Sequence, residues 1–578
     1  GALRGGRSLA NVPRSSDNHI GREELKMDRL VTDVLVIGGG GAALRAALAA
    51  CDAGADVIIA AKMPLGLGGA TTYPVAEMAG YNAGDPHVPG DVECHYQDIM
   101  AAGQGMADEK LAAILAEGAP ETIDELESWG VEFDREGDGY YTFKSCFASI
   151  PRTHVIRGHG EPIVQALIRQ IRRRPDIQSL TGVTIIELAK KNGICCGAWG
   201  VDSRGKLIYI SAGAVILASG GASQAFEKNL NPGDVSGDGY MLAYESGARL
   251  VNMEFMQSGI GFSHPLMNIF NGYIWAAHPL LTNSEGESFL EKYIPDSMQP
   301  EYVMDEHRKH FPFSSSDDSK YLEIAIQKEI RAGRGGRHGG IIADLRHMKD
   351  DYICHVPDDC GLHHMWPVAR NHMKDKGVDL LTQKVEINVF AHAINGGVCI
   401  DAEGSTSLPG LYAAGEVAGG PHGADRLGGN MMVTCQVFGK IAGTNAAKWA
   451  GIHRPQREST AMYPDDRLWE ILHRKADTQG LIHELQSVNQ HHLLISRNEA
   501  GLMQVLGTVE RIGRQLAESP RQDAINMEAF RLYCLITASR LMGEAALRRQ
   551  ESRGAHYRED YPIVNPKLDR PMFSDQSI

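Results

Sequence analysis

The stretch Val31–Ile37 (VTDVLVI) is an almost unbroken apolar run, which predicts a strand buried on both faces of a parallel sheet. Four glycines follow, Gly38–Gly41, and then Ala42–Ala53 has the alanine and leucine richness of a helix. Asp56–Ala61 (DVIIAA) predicts a second strand, completing strand, glycine turn, helix and strand within about 30 residues, the βαβ unit of dinucleotide-binding folds. Thr184–Gly205 and Lys206–Ile210 read as short β elements. Ala214–Ala218 (AVILA) reads as another buried strand, running into Ser219-Gly220-Gly221. Gly410–Gly415 (GLYAAG) predicts a last short strand of the same unit. Beyond about residue 452 the apolar positions recur at helical spacing, most clearly in Leu493–Leu516 and Met527–Leu547.

The span 251–384 differs in character, with many His, Met and aromatic residues and charged loops such as Ser314–Lys320. It predicts a second domain inserted into the first. Residues 1–26 are polar and basic without the apolar core of a secretory signal, and are expected to be a disordered extension. No apolar run approaches the roughly 20 residues of a membrane helix, so no direct membrane insertion is expected.

Composition narrows the function. The formal net charge of −15 argues against nucleic acid, whose binders show a basic face. The 65 glycines cluster, as they do where a backbone turns tightly or approaches a ligand. Ten dispersed cysteines without a CxxC fit reduced thiols in a cytoplasmic enzyme. They form no iron–sulfur ligand pattern, so any such cluster would sit in another subunit. Cys354-His355, Cys360 and His363-His364 gather soft ligands in one stretch, but the spacing fits no zinc pattern and no metal site is assigned.

Gly38-x-Gly40-x-x-Ala43 carries the first chemistry. Gly38 permits the turn, Gly40 lets backbone approach a pyrophosphate, and Ala43 stands where the third glycine only governs packing. An acid at the end of the second strand usually grips a ribose; here Ala61 and Lys62 occupy that place, which speaks against a simple NAD site. Gly237-Asp238-Gly239 offers a carboxylate to ribose or ribityl hydroxyls. Gly415–Gly420 and His422–Asn430 suggest backbone wrapped around a ligand, with Arg426 suited to an anion. Glu551–Pro562 (ESRGAHYREDYP) taken alone is a charged loop.

The ordered set GGGGAA, AVILASGG, SGDG, GLYAAGE, HGADRLGGN and ESRGAHYREDYP resembles the fumarate reductase, succinate dehydrogenase and L-aspartate oxidase flavoprotein family over most of the chain. The resemblance implies an α/β fold: a Rossmann-like FAD-binding domain (27–250 and 385–450), an inserted α+β capping domain (251–384) and a C-terminal helical domain (451–578). It places FAD against Gly38, Gly40, Gly41, Ala42, Ala43, Lys62, Gly69, Thr71, Thr72, Glu77, Asp238, Glu416, Asn430 and Met431. Thr72 falls where respiratory members carry the histidine bonded to flavin in SHTVAAEGG, so the FAD is expected to be non-covalent.

Ala391–Gly397 (AHAINGG) is similar to the family's AHYTMGG and HGADRLG to HGANRLG, which implies that His392 and Arg426 hold a substrate carboxylate. The family's QxHP is replaced by Gln257-Ser258-Gly259-Ile260, removing its histidine, with His264-Pro265 a few residues on as a substitute. Aligning Glu329–Gly335 with the family's EIREGRG puts Ser319 at the position of the proton-delivering arginine. Lys320 beside it becomes the candidate acid.

These residues imply hydride transfer between flavin and an unsaturated or saturated carboxylic acid, with a substrate other than fumarate open. Two alternatives stand beside it. One is an oxidase of an amino or hydroxy acid, like L-aspartate oxidase. The other is the FAD subunit of an electron-transfer complex with an iron–sulfur protein partner, to which Thr434–Gly439 (TCQVFG) bears some similarity.

Overall fold

The apolar run at Val31–Ile37 is the inner end of strand β1 (Asp28–Ile37) in the computed structural model, which describes residues 27–349, 352–356, 361–455 and 464–576. Residues 1–26 and Cys360 lie outside the described residues. β1 sits inside a seven-stranded sheet, with β2 (Val57–Ala61) on one side and Leu207–Leu217 on the other, both parallel to it. Ile37 is level with Ala60 and with Leu217, so three strands end together and open one crevice beyond their C-terminal ends. Helix α1 (Gly41–Asp52) starts at that edge.

The elements expected at Lys206–Ile210 and Ala214–Ala218 are one strand of 11 residues, buried throughout. Its first half pairs with Ile194–Asp202 and its last three residues with Leu411–Ala413. The small residues Ser211-Ala212-Gly213 read as a break in sequence, but they are where a helix presses on the strand. A Cβ on Gly213 would lie 2.7 Å from the His453 carbonyl oxygen and 2.9 Å from Ala450 Cβ. That helix, Asn430–Ile452, also lies against α1, and a Cβ on Gly443 would come within 2.2 Å of the Ala46 carbonyl oxygen. Glycine in one helix and alanine in the other let the two backbones touch. The helix is thereby fixed with its N-terminus at the crevice.

The inserted region is built on a five-stranded antiparallel sheet in the order Asn268–Ile269, Met256–His264, Val385–Ile394, Ile341–Asp344 and Leu280–Thr282. The expected boundary at 384/385 therefore needs correction. Val385–Ile394 pairs along its length with Met256–His264, from Glu386 opposite His264 to Ile394 opposite Met256. It is an inner strand of the inserted sheet, buried on both faces although Glu386, Asn388 and His392 share one of them. Nothing in such a strand's own pattern tells which sheet it joins.

Three helices, Thr478–His492, Glu499–Glu518 and Met527–Arg548, form the C-terminal layer. The charged segment after them is buried rather than a surface loop. Arg549 bridges to Glu551 at 2.7 Å, and Arg553 reaches Glu551 and Asp569, each at 3.0 Å. Paired in this way, buried charges hold a loop in one geometry. Ala555 N donates to the Ala424 carbonyl at 3.0 Å, so this tail backs the His422–Asn430 segment. Among the described residues, no helix is long and apolar enough to cross a membrane.

Candidate active site

A cavity of ≈ 310 Å³ lies between the C-terminal ends of β1, β2 and Leu207–Leu217 and the face of the inserted region. Gly38 makes the turn out of β1 at φ +129°, and a Cβ there would lie 2.1 Å from the Ala218 carbonyl oxygen. Only glycine fits. Gly40, Gly41 and Ala42 line the cavity at the start of α1, whereas Ala43 is buried behind them. Met431 lines it from the N-terminal turn of Asn430–Ile452. Asn430 itself sits behind the wall. Its Oδ1 accepts from His95 Nε2 at 3.0 Å, and its buried Nδ2 has no partner. Two helix N-termini thus converge on one cavity, an arrangement that attracts phosphate.

Lys62 and Asp238 both line the cavity and pair with each other at 3.0 Å. Lys62 also donates to Ser236 Oγ at 2.9 Å. Gly69 N donates to Asp234 Oδ2 at 2.9 Å, which ties the Gly69–Thr71 loop to the same cluster. Thr71 lines the cavity, whereas Thr72 does not, and its hydroxyl donates to the Gly68 carbonyl at 3.3 Å. The Glu77 carboxylate is held by Tyr273 and Asn271, and those two residues, not Glu77, line the cavity.

Glu416 lines the cavity, accepts from Ile394 N at 3.1 Å, and is pushed up to about 7 by burial. Between its ordinary value of 4.5 and about 7, the folded chain keeps a proton that the unfolded chain releases, so stability falls as pH rises through that window. FAD-free protein should accordingly melt at lower temperature at pH 7.5 than at pH 5. Glu416→Gln should flatten that slope without abolishing it, because Asp425 is raised to about 7 by burial too. A melting series in which the two slopes coincide would contradict the assignment.

His392 and Arg426 both line this cavity. His392 projects from the inserted sheet and Arg426 from the segment before Asn430–Ile452. Arg426 is 6% exposed, with Nε donating to Gln257 Oε1 and Nη1 to the Leu427 carbonyl, both at 3.1 Å. Among the described residues, no carboxylate lies within ion-pair distance of it and Nη2 has no partner. Burial, then the nearby guanidinium, push the His392 imidazole down to about 3, so it is neutral at physiological pH. Its buried Nδ1 is unpartnered.

Lys320 is not brought to the cavity. It opens helix Lys320–Arg331, with Nζ directed at the Ser315 carbonyl (3.5 Å) and over the Tyr321 ring. Ser319 is buried against His310, with Oγ 3.3 Å from Nε2. His264 is also away from the cavity, stacked on His338 at 3.4 Å, so it does not stand in for the missing QxHP histidine. Among the described residues, no group of three or more His, Cys, Asp or Glu could hold a metal. Sequence reasoning missed Phe311, Cys146 and His159, which line the cavity from loops with no periodic signal. Cys146 and Cys435 are both raised by burial, Cys435 to about 12, which leaves them as inert thiols.

These features fit FAD. The glycine cradle and the two helix N-termini suit its pyrophosphate, and Ser219 Oγ is a buried hydroxyl left without a partner at the cavity wall. Comparison with known proteins agrees. Residues 33–432 match the FAD binding domain family and residues 482–570 the fumarate reductase flavoprotein C-terminal family. The chain is 33% identical to an uncharacterized FAD-dependent oxidoreductase of Methanocaldococcus jannaschii, covering 92% of this chain and 94% of that one. It is 31% identical to one of the subunits of the fumarate reductase (CoM/CoB) of Methanothermobacter marburgensis, covering 94% and 97%. The fold superposes on Mycobacterium smegmatis Sdh1 in complex with UQ1 with a TM-score of 0.76 at 28% identity, covering 94% and 91%. The chain belongs to the family of FAD-dependent oxidoreductases formed by the fumarate reductase and succinate dehydrogenase flavoprotein subunits.

Proposed function

We propose that the protein transfers a hydride between FAD and the carbon–carbon bond of an unsaturated or saturated carboxylic acid. The observation that carries this reading is Arg426, a buried guanidinium on the cavity wall with no carboxylate partner among the described residues. A buried charge needs a counter-charge, and a substrate carboxylate supplies one. Gln257 and the Leu427 carbonyl fix the guanidinium plane, which leaves Nη2 for the substrate, and neutral His392 can donate one further hydrogen bond.

FAD, when bound, supplies or accepts the hydride. Addition of hydride at the β-carbon breaks the π bond and moves charge toward the α-carbon and its carboxylate. Arg426 stabilises that charge where it develops. A proton drawn from solvent completes the α-carbon. Gly38, Gly40, Gly41 and Ala42 would hold the pyrophosphate, and Lys62, Asp238 and Glu416 the sugar hydroxyls.

Anaerobic reduction of the flavin, followed by mixing with 2-enoic acids or with air, tests the reading. The oxidised spectrum should return with an acid. Return in air alone would instead mark an oxidase of an amino or hydroxy acid. Because residue 72 is threonine and its hydroxyl is engaged with Gly68, acid precipitation should leave the yellow chromophore in the supernatant; a yellow pellet would show a covalent bond. We also infer an iron–sulfur protein as electron partner, from the similarity of Thr434–Gly439 to family members that have one; the Methanothermobacter relative is likewise named as one subunit of a larger enzyme. Co-purification of an iron-containing protein with this chain tests that.

A further inference from the structure

Gly259 stands where the family's QxHP segment has its histidine, and the space of that side chain is filled by another residue. A Cβ on Gly259 would lie 2.6 Å from Phe311 Cζ and 2.8 and 2.9 Å from its two Cε atoms, so the phenyl ring sits directly on this glycine. Phe311 lines the cavity and meets the His392 ring edge-on, with centroids 5.3 Å apart at 90°. It does not belong to the main hydrophobic core. It joins a separate small cluster whose Val75, Ala76, Leu230 and Ile269 line the cavity as well. The wall beside the His392–Arg426 grip is therefore apolar. It is also held in place, because Phe311 N donates to Cys146 Sγ at 3.0 Å.

The charges along the cavity point the same way. Lys62 has Asp238 at 3.0 Å, Lys309 has Glu306 at 2.5 Å, and Arg308 has Asp305 at 3.6 Å. His310 has both ring nitrogens on acceptors, Asp317 at 2.9 Å and the Pro312 carbonyl at 2.7 Å. Lys144 is exposed to water. Arg426 is the buried cation left for a ligand among the described residues. The site offers one buried anion position and, next to it, an apolar surface. A second carboxylate laid on that surface would be buried without a partner, which is unfavourable.

We propose that the substrate is a monocarboxylate, a 2-enoic acid bearing an alkyl or aryl group or its saturated counterpart, and that Phe311 seated on Gly259 determines this specificity. The inference rests on the hydride-transfer reading. The reaction balances as before: two electrons and a hydrogen reach the β-carbon from reduced FAD, the π bond breaks, and a proton from solvent completes the α-carbon.

The test is anaerobic stopped-flow reoxidation of the reduced holoenzyme by (E)-2-hexenoate, cinnamate and fumarate, each over a range of concentrations. At least one of the apolar acids should reoxidise the flavin on the order of 10²-fold more efficiently than fumarate, the scale on which apolar pockets discriminate. Phe311→Ala should shrink that ratio about tenfold, mainly through the concentration dependence for the apolar acid. Fumarate performing as well as the apolar acids, or a ratio unchanged in Phe311→Ala, would overturn the proposal while leaving hydride transfer to a carboxylic acid intact. If no acid reoxidises the flavin, the hydride-transfer reading itself fails, and this proposal with it. A Phe311→Ala protein without a normal flavin spectrum is misfolded, and the wild-type ratio then decides.

Discussion

Arg426→Gln should purify yellow, with FAD bound, and should lose on the order of 10²–10³-fold in the efficiency with which an unsaturated acid reoxidises its reduced flavin. That range is about 2.7–4.1 kcal/mol, inside the about 2–5 kcal/mol typical when one partner of a buried, hydrogen-bonded charge pair is removed. Arg426→Lys should recover only part of the loss, because an ammonium lacks the planar fork that meets a carboxylate. Thermal melting of the substrate-free protein provides the control. In wild type the guanidinium is buried with no carboxylate within ion-pair distance among the described residues and only the more distant Glu416 to offset it, so its removal should change the melting temperature little. A fall of many degrees alongside the lost activity would make Arg426 a structural residue instead.

Gly38→Ala should yield protein without flavin. The added Cβ would lie 2.1 Å from the Ala218 carbonyl oxygen, and alanine is strained at φ +129°. Neither β1 nor Leu207–Leu217 can move aside, since they are paired residue by residue up to Ile37 and Leu217. The turn must therefore deform, and it forms the floor of the cavity. Gly54→Ala is the matched control. Gly54 also has a positive φ, +88°, but a Cβ there meets nothing within 4 Å, so strain alone should leave flavin binding in place. The ratio of flavin to protein absorbance after purification separates the two. Equal flavin content in both variants would mean that Gly38 is not needed for the cavity's shape.

The parts of the molecule legible in the sequence were those governed by local chemistry. β1, the glycine turn, α1 and β2 announce themselves because a buried strand, a positive φ and an alanine-rich helix each leave a mark on the residues they occupy. The motifs around Arg426 and His392 single these residues out, and both line one cavity. What stayed hidden depended on partners far along the chain. Val385–Ile394 has the period of a strand but nothing that names its sheet, and only its pairing with Met256–His264 assigns it to the inserted one. Gly213 resembled a break because the helix that needs its missing side chain lies more than 200 residues later. Lys320 follows from an ungapped count along the chain, which does not show where a helix points its first residue. The replacement of a polar grip by Phe311 was invisible for the same reason. The loss at Gly259 could be read, but the ring that fills the space comes from a different loop. The charged tail reads as solvated because its pattern does not show that its arginines and Glu551 pair with one another inside the fold, with Glu254 brought in from far along the chain.

The measurement that bears most directly on the central claim compares an acid with its own amide. Reduced holoenzyme is mixed anaerobically with an (E)-2-enoic acid or with the corresponding primary amide, which keeps the double bond and the shape but removes the charge that Arg426 is held to bind. The predicted result is return of the oxidised flavin spectrum with the acid, one equivalent of saturated acid formed per flavin, and no comparable reaction with the amide. Equal reoxidation by the amide, or none by any acid while air restores the spectrum at once, would contradict the account.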